Sequence, residues 1–274
     1  MRQLSQCASR IRNQRSSLSP IHLARYRRSM EPSKVSNMHL TDTERSARKE
    51  LERAPRPKIA ATVVLTIGDR QNPKILMGQR SSRHDFMPSV YVFPGGRVDR
   101  IDSFAPYAGD LSARTERILE AAVSPRKARA ITLCCIRETY EETGLMIGAE
   151  AKSQVRNMKN PTYDLFRKSG RLPDISEMEV FGRAITPPHR HKRFDAWFFH
   201  RHLGDVAPPD VNDSRELQNV GWFTFDEIET LELQRATTMM VEVFKNYVRR
   251  PEPEPKIFFS RARHGVFRQE SFPA

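Results

Sequence analysis

Apolar positions recur with two different periods along this chain, and the places where the period changes mark its elements. Ile59 to Ile67 is a strand-length run rich in Val, Ile and Thr. Turn formers follow it from Gly68 to Pro73, and Lys74 to Gln79 reads as its hairpin partner. Tyr91-Val92-Phe93 predicts a short strand that runs into Pro94-Gly95-Gly96. Ser124-Pro125 then offers a capping residue followed by a first-turn proline, and Gly144 offers a stop, so a helix is expected from there to about Glu142. Val180 to Ile185, Phe194 to His200 and Val220 to Phe223 read as further strands. Thr237 to Val248 is an amphipathic helix with Met240, Val241, Phe244 and Val248 on one face. Strands and helices alternate irregularly, without a repeat, which predicts an α/β sandwich with a mixed β-sheet over residues 59–248.

The flanks read differently. Residues 1–58 are expected to be a disordered basic tail and a polar linker that ends at Ala54-Pro55-Arg56-Pro57, and 249–274 a C-terminal tail. Residues 1–30 hold seven arginines and no acidic residue. That composition fits an organellar presequence, a basic tail that touches membranes or RNA, or sequence ahead of a start at Met30 or Met38. An apolar core of the kind a secretion signal needs is missing from it. A cytoplasmic, bacterial setting is expected, or the mitochondrial matrix if residues 1–30 are a genuine presequence.

Charge and cysteines narrow the class. The net charge is +13, of which residues 1–30 carry +7 and the stretch from Arg249 onward +3, so the body between them is close to balanced. No specific nucleic-acid surface is expected, and the anion that the body meets should be small. Of the three cysteines, Cys134 and Cys135 are adjacent, which suits buried apolar positions in a helix and a reducing compartment. No apolar run approaches the roughly 20 residues of a membrane span.

Candidate chemistry lies at Arg137-Glu138-Thr139-Tyr140-Glu141-Glu142-Thr143-Gly144-Leu145. Positions i, i+3 and i+4 share one helix face, so Glu138, Glu141 and Glu142 converge, while Leu133, Ile136 and Tyr140 form the opposite stripe. Three clustered carboxylates repel unless a cation neutralises them, and hard oxygen donors suit Mg²⁺ or Mn²⁺. A solvated acidic face is the plain alternative. The glycine loop Phe93-Pro94-Gly95-Gly96 upstream can bring backbone close to a metal or phosphate.

The run Arg-Glu-x-x-Glu-Glu-x-Gly-Leu, preceded by Gly-Gly after a strand, resembles the box of the Nudix hydrolases. The resemblance implies a Nudix-type α/β/α sandwich and a hydrolase that cleaves the diphosphate linkage of a small nucleoside diphosphate derivative. It also implies that Glu138, Glu141 and Glu142 ligate metal, that Arg137 holds a glutamate in place, and that Gly95 and Gly96 contact substrate. Here 41 positions separate Gly96 from Arg137, so an insertion is expected at about 97–123. Asp102 stands at the place of the early box glutamate when counted forward from Gly96, and Arg129 when counted back from Arg137. That role stays unassigned.

The insertion, Gln79-Arg80-Ser81 with Phe86-Met87-Pro88, and Lys192-Arg193-Phe194-Asp195 with Phe198-Phe199 are similar to the acyl-coenzyme A diphosphatase subgroup of peroxisomal type and its bacterial relatives. They imply coenzyme A or an acyl-coenzyme A as substrate, with Arg80 as a binding residue. Arg190 and Arg193, in the densest basic run of the body, are candidates for its phosphates. Glu216, six residues before Trp222, is a candidate for an additional metal-site or base glutamate, so the expected base is Glu142 or Glu216. Another nucleotide sugar, ADP-ribose or dinucleotide substrate stays open, as does a catalytically inactive nucleotide-sensing module. The oligomeric state is not legible.

Overall fold

The computed structural model describes residues 38–39, 55–82, 88–152, 157–188, 190–250, 256–263 and 266–273. The expectations for residues 1–30, and for Phe86 and Met87, lie outside these.

The centre of the molecule is a mixed sheet. Its strands are β1 (Met38–His39), β2 (Lys58–Ile67), β3 (Lys74–Arg80), β4 (Tyr91–Val92), β5 (Gly95–Arg97), β8 (Glu179–Ile185), β9 (Phe194–His202), β10 (Leu217–Phe223), β11 (Ile257–Arg263) and β12 (Val266–Phe272). A separate pair, β6 (Gly148–Glu150) and β7 (Arg171–Pro173), lies apart from it. The main order is β1-β12-β11-β8-β9-β2-β3-β10, with β4 on β3 and β5 on β2. β2 runs parallel to β9 and β11 parallel to β8, while the other pairs are antiparallel.

Helices cover both faces, and β2 shows why. Successive strand side chains point to opposite faces. Ala61, Val63 and Leu65 enter one core with Ile131, Leu133, Cys134, Cys135 and Ile136 of the helix α2 (Pro125–Thr143), whereas Val64 enters a second core with Met240, Val241 and Phe244 of α5 (Arg235–Val248). The short α4 (Phe225–Thr230) adds Phe225 and Ile228 to that second core. β2 is therefore apolar on both faces where it passes between them, which is why it reads as a continuous run. The expected α/β/α sandwich with a mixed sheet is what the chain forms.

α2 begins after Ser124 and ends at Gly144, whose φ of 73° is left-handed and whose N–H bonds the carbonyl of Tyr140. Its apolar stripe faces the sheet as expected, with Leu133 and Ile136 buried and Tyr140 packed at the edge.

Two expectations about the flanks are corrected. The stretch after 248 is not simply a tail, because β11 and β12 form a hairpin that extends the sheet, with Ile257 and Phe259 buried. Within the expected linker, Met38–His39 pairs with β12. The 97–123 insertion is also structured. It carries a 3-10 turn (Arg100–Ser103) and α1 (Ala113–Glu120), which Ser112 caps and whose Ile118 and Leu119 are fully buried. Among the described residues no helix is long and apolar enough to cross a membrane.

Candidate active site

The glycine loop and the acidic helix meet because β5 is hydrogen-bonded to β2 beneath α2. Gly95 lies opposite Thr62 and Gly96 opposite Ala61. Neither position has room for a side chain: a Cβ on Gly95 would come within 2.6 Å of the Thr62 Cα, and one on Gly96 would collide with the Glu138 carboxylate. The Gly95 N–H donates to Glu142 Oε2 at 2.8 Å. Gly96→Ala is therefore expected to displace the Glu138 carboxylate and lower activity at little cost in stability, because the atoms it meets are the end of a flexible side chain. Kinetics beside urea unfolding check this, and an alanine variant as active as the parent would contradict the crowding.

Arg137 organises the rest. Its Nε donates to Asp102 Oδ1 at 2.8 Å and its Nη2 to Asp102 Oδ2 at 3.1 Å and to the carbonyl of Arg97 at 3.2 Å. Its Nη1 meets Glu138 Oε1 at 2.8 Å and Glu141 Oε2 at 2.9 Å. Asp102 is fully buried, and it accepts two further bonds, from the Tyr163 hydroxyl at 2.7 Å and the Asp99 N–H at 2.8 Å. Four donors on one carboxylate offset much of the desolvation that burying it costs. Burial works to lower the Arg137 pKa, but the bonds to Asp102 and the charge of Glu138 outweigh it and hold the guanidinium charged. Of the two positions that the counts leave open, Asp102 is the one that pairs with Arg137.

Glu138, Glu141 and Glu142 lie along one side of α2, each turned to its own donors. Glu141 accepts from Arg137 and, at 2.6 Å, from the Thr162 hydroxyl of α3 (Pro161–Lys168). Burial pushes the Glu138 carboxyl up to about 7, with Arg137 offsetting part of that and Glu141 adding to it. Burial raises Glu142 well above the usual carboxylate range, against the Gly95 N–H, with Glu138 and Glu216 adding to the rise. Arg80 ends β3 opposite Leu217, and the Ser81 N–H bonds the carbonyl of Glu216 at 2.9 Å. This brings Arg80 and Glu216 to the same mouth. Burial lowers the Arg80 pKa, while the charges of Glu142 and Glu216 oppose that.

Arg190 and Arg193 do not join this group. Arg190 is exposed in the turn after β8. Arg193 spends its guanidinium on backbone carbonyls, Nε to Thr186 at 3.0 Å and Nη1 to Pro55 at 2.7 Å, and so closes the entry to β2 and β9. It stands four residues before Trp197, which is level with Ala61, or about 13 Å along the strand direction from the glycine loop.

Five carboxylates, those of Asp102, Glu138, Glu141, Glu142 and Glu216, stand here against the guanidiniums of Arg80 and Arg137. Two of them are held above their ordinary pKa range by burial, with the charge of neighbouring glutamates adding to the rise. That donor chemistry fits a divalent cation with oxygen ligands. Among the described residues, though, no three His, Cys, Asp or Glu side chains are gathered closely enough to hold an ion as they stand. The carboxylates would have to turn toward it.

Comparison with known proteins bears on the fold. A solved structure, the NUDIX hydrolase from Alicyclobacillus acidocaldarius, superposes with a TM-score of 0.51 over 68% of this chain and 90% of that one, at 20% identity. The chain has the Nudix fold. In sequence it resembles the acyl-coenzyme A diphosphatase NUDT19 of Gallus gallus, at 26% identity with 60% of each chain covered, and that of Xenopus laevis, at 21% identity with 55% of this chain and 52% of the other covered. The chain thus matches less than two thirds of the length of these curated relatives. No family model matches it. In Nudix terms, the glycine loop and the Arg-Glu-x-x-Glu-Glu helix are brought together across the insertion by the Arg137–Asp102 pair.

Sequence reasoning missed Thr162 and Tyr163 altogether. The only local signal was Asn160-Pro161, a capping residue followed by a first-turn proline.

Proposed function

We propose that this chain is a metal-dependent diphosphatase that uses Mg²⁺ or Mn²⁺ and cleaves the P–O–P linkage of coenzyme A or an acyl-coenzyme A. The observation that carries the reaction class is Arg137, buried between Asp102 and the two glutamates it holds, beside a glycine loop that admits no side chain. The names of the curated relatives support the substrate.

Glu138, Glu141, Glu142 and Glu216 supply the oxygen ligands. A divalent cation bound there would withdraw charge from the phosphate oxygens and make water a better nucleophile. Arg80, half-buried at the mouth, is placed to pair with a phosphate oxygen. Glu142 has one oxygen fixed by the Gly95 N–H and its other oxygen turned away from that bond, so it can take the proton of the attacking water. Glu216 is the second candidate for this step. Arg193 has no part in substrate selection in this reading, because it is about 13 Å along the strand direction from the glycine loop and is turned to the carbonyls of Thr186 and Pro55.

The test is a substrate panel of coenzyme A, an acyl-coenzyme A, ADP-ribose, a nucleotide sugar and a dinucleotide with Mg²⁺ or Mn²⁺, read by product mass. Coenzyme A and water should give 4′-phosphopantetheine and adenosine 3′,5′-bisphosphate. Efficient cleavage of ADP-ribose or a nucleotide sugar with coenzyme A untouched would overturn the substrate. No turnover of any member would overturn the enzyme and favour a nucleotide-sensing module.

A further inference from the structure

We infer that Thr162 and Tyr163, consecutive residues in the first turn of α3, are positioning residues for the acidic cluster of α2. This rests on the metal-dependent reading above. Neither belongs to the glycine loop or to the acidic helix.

Local structure fixes their direction. The Asn160 side chain accepts from the Tyr163 N–H at 3.0 Å and Pro161 opens the helix, so this first turn has a set start. Adjacent helical residues diverge by about 100°, so the two side chains reach different targets. Thr162 donates to Glu141 Oε1 at 2.6 Å, and Tyr163 donates to Asp102 Oδ1 at 2.7 Å. Both residues are buried, and Phe166 in the next turn, itself fully buried, already anchors α3 in the core.

The two contacts grip opposite ends of one unit. The guanidinium is planar, and its two parallel hydrogen bonds to Asp102 set its plane. That plane decides where Nη1 holds Glu138 and Glu141. Tyr163 acts on the unit through Asp102. Thr162 acts on Glu141 directly: this glutamate has a side chain 36% exposed, and with Arg137 as its only donor it would be free to pivot. With both donors in place its swing is limited to small turns, and each oxygen keeps a lone pair for a cation.

The experiment is titration of the full chain with Mn²⁺, reading the free ion by electron paramagnetic resonance, beside thermal midpoints and steady-state kinetics. Thr162→Val keeps the shape and removes the donor. It should weaken Mn²⁺ binding about tenfold, the lower end for a hydrogen bond to a charged group. The thermal midpoint should stay within a few degrees, and kcat should fall more than KM rises. Thr162→Ser, which keeps the hydroxyl, should return binding to within about twofold of the parent by that same bond. Tyr163→Phe should weaken Mn²⁺ binding in the same direction, which keeps the inference testable if the valine variant fails to fold. Thr162→Val binding Mn²⁺ as tightly as the parent, or Thr162→Ser binding no better than Thr162→Val, overturns the inference and leaves the metal-dependent reading standing. A parent protein that binds no Mn²⁺ overturns both.

Discussion

Glu142→Gln is expected to lower turnover by about 100-fold or more while leaving the thermal midpoint equal or higher. The loss has the size seen when an active site loses one preorganised charged group. Glutamine can still accept from the Gly95 N–H, so the loop should stay in place, but it can neither take a proton nor offer an anionic oxygen to a cation. Stability should not suffer, since burial already disfavours the charged form of Glu142 in the folded chain. Chelation of the parent should abolish activity, and Mg²⁺ or Mn²⁺ should restore it. Saturating-substrate kinetics on Glu142→Gln and Glu216→Gln side by side would tell the two candidate bases apart. Turnover of Glu142→Gln within tenfold of the parent would remove it from the chemistry.

Asp102→Asn should be the most damaging of these substitutions for folding. The carboxylate is fully buried and receives four donors, two of them from Arg137. Asparagine would present an NH₂ group to a guanidinium that has only donors to offer. Breaking a buried ion pair in this way costs about 3–5 kcal/mol, because the remaining charge is left without its partner. Equilibrium urea unfolding should show that loss, and Mn²⁺ binding should weaken with it as Arg137 loses its plane. A loss below about 1 kcal/mol would place the pair among those of little weight, as exposed ion pairs are.

The parts of this architecture legible in the sequence are those whose cause is local. β2 was readable because both its faces are buried and its residues are β-branched. α2 was readable because Ser124-Pro125 and Gly144 punctuate it, and the structure ends it within a residue of the expected place. The glutamates were readable because helical spacing alone puts them on one side. What escaped depends on partners far away in sequence. Asp102 could be reached only by a count forward from Gly96 that the count back from Arg137 contradicted, because its pairing is with Arg137, 35 positions on. The β11–β12 hairpin was hidden because Ile257-Phe258-Phe259 is a short apolar run inside a charged stretch, and its strand character comes from pairing with β8. Arg193 differs from its expected setting for the opposite reason. A dense basic run suggested anion binding, yet the structure uses this guanidinium to satisfy two carbonyls.

The Arg137–Asp102 contact also settles how an excursion between the glycine loop and the acidic helix can be carried at so little expense. Closing a flexible loop becomes harder only with the logarithm of its length, about 0.6 kcal/mol for each doubling. One charge-assisted hydrogen bond outweighs that, at about 1.5–3 kcal/mol. Since the chain departs beyond Asp102 and returns ahead of Arg137, the clasp fixes the two ends whatever lies between them. The entropy of a longer detour is small against the enthalpy of the clasp. Lengthening this excursion should therefore cost little stability, so long as the added residues leave Ile118 and Leu119 of α1 in the core.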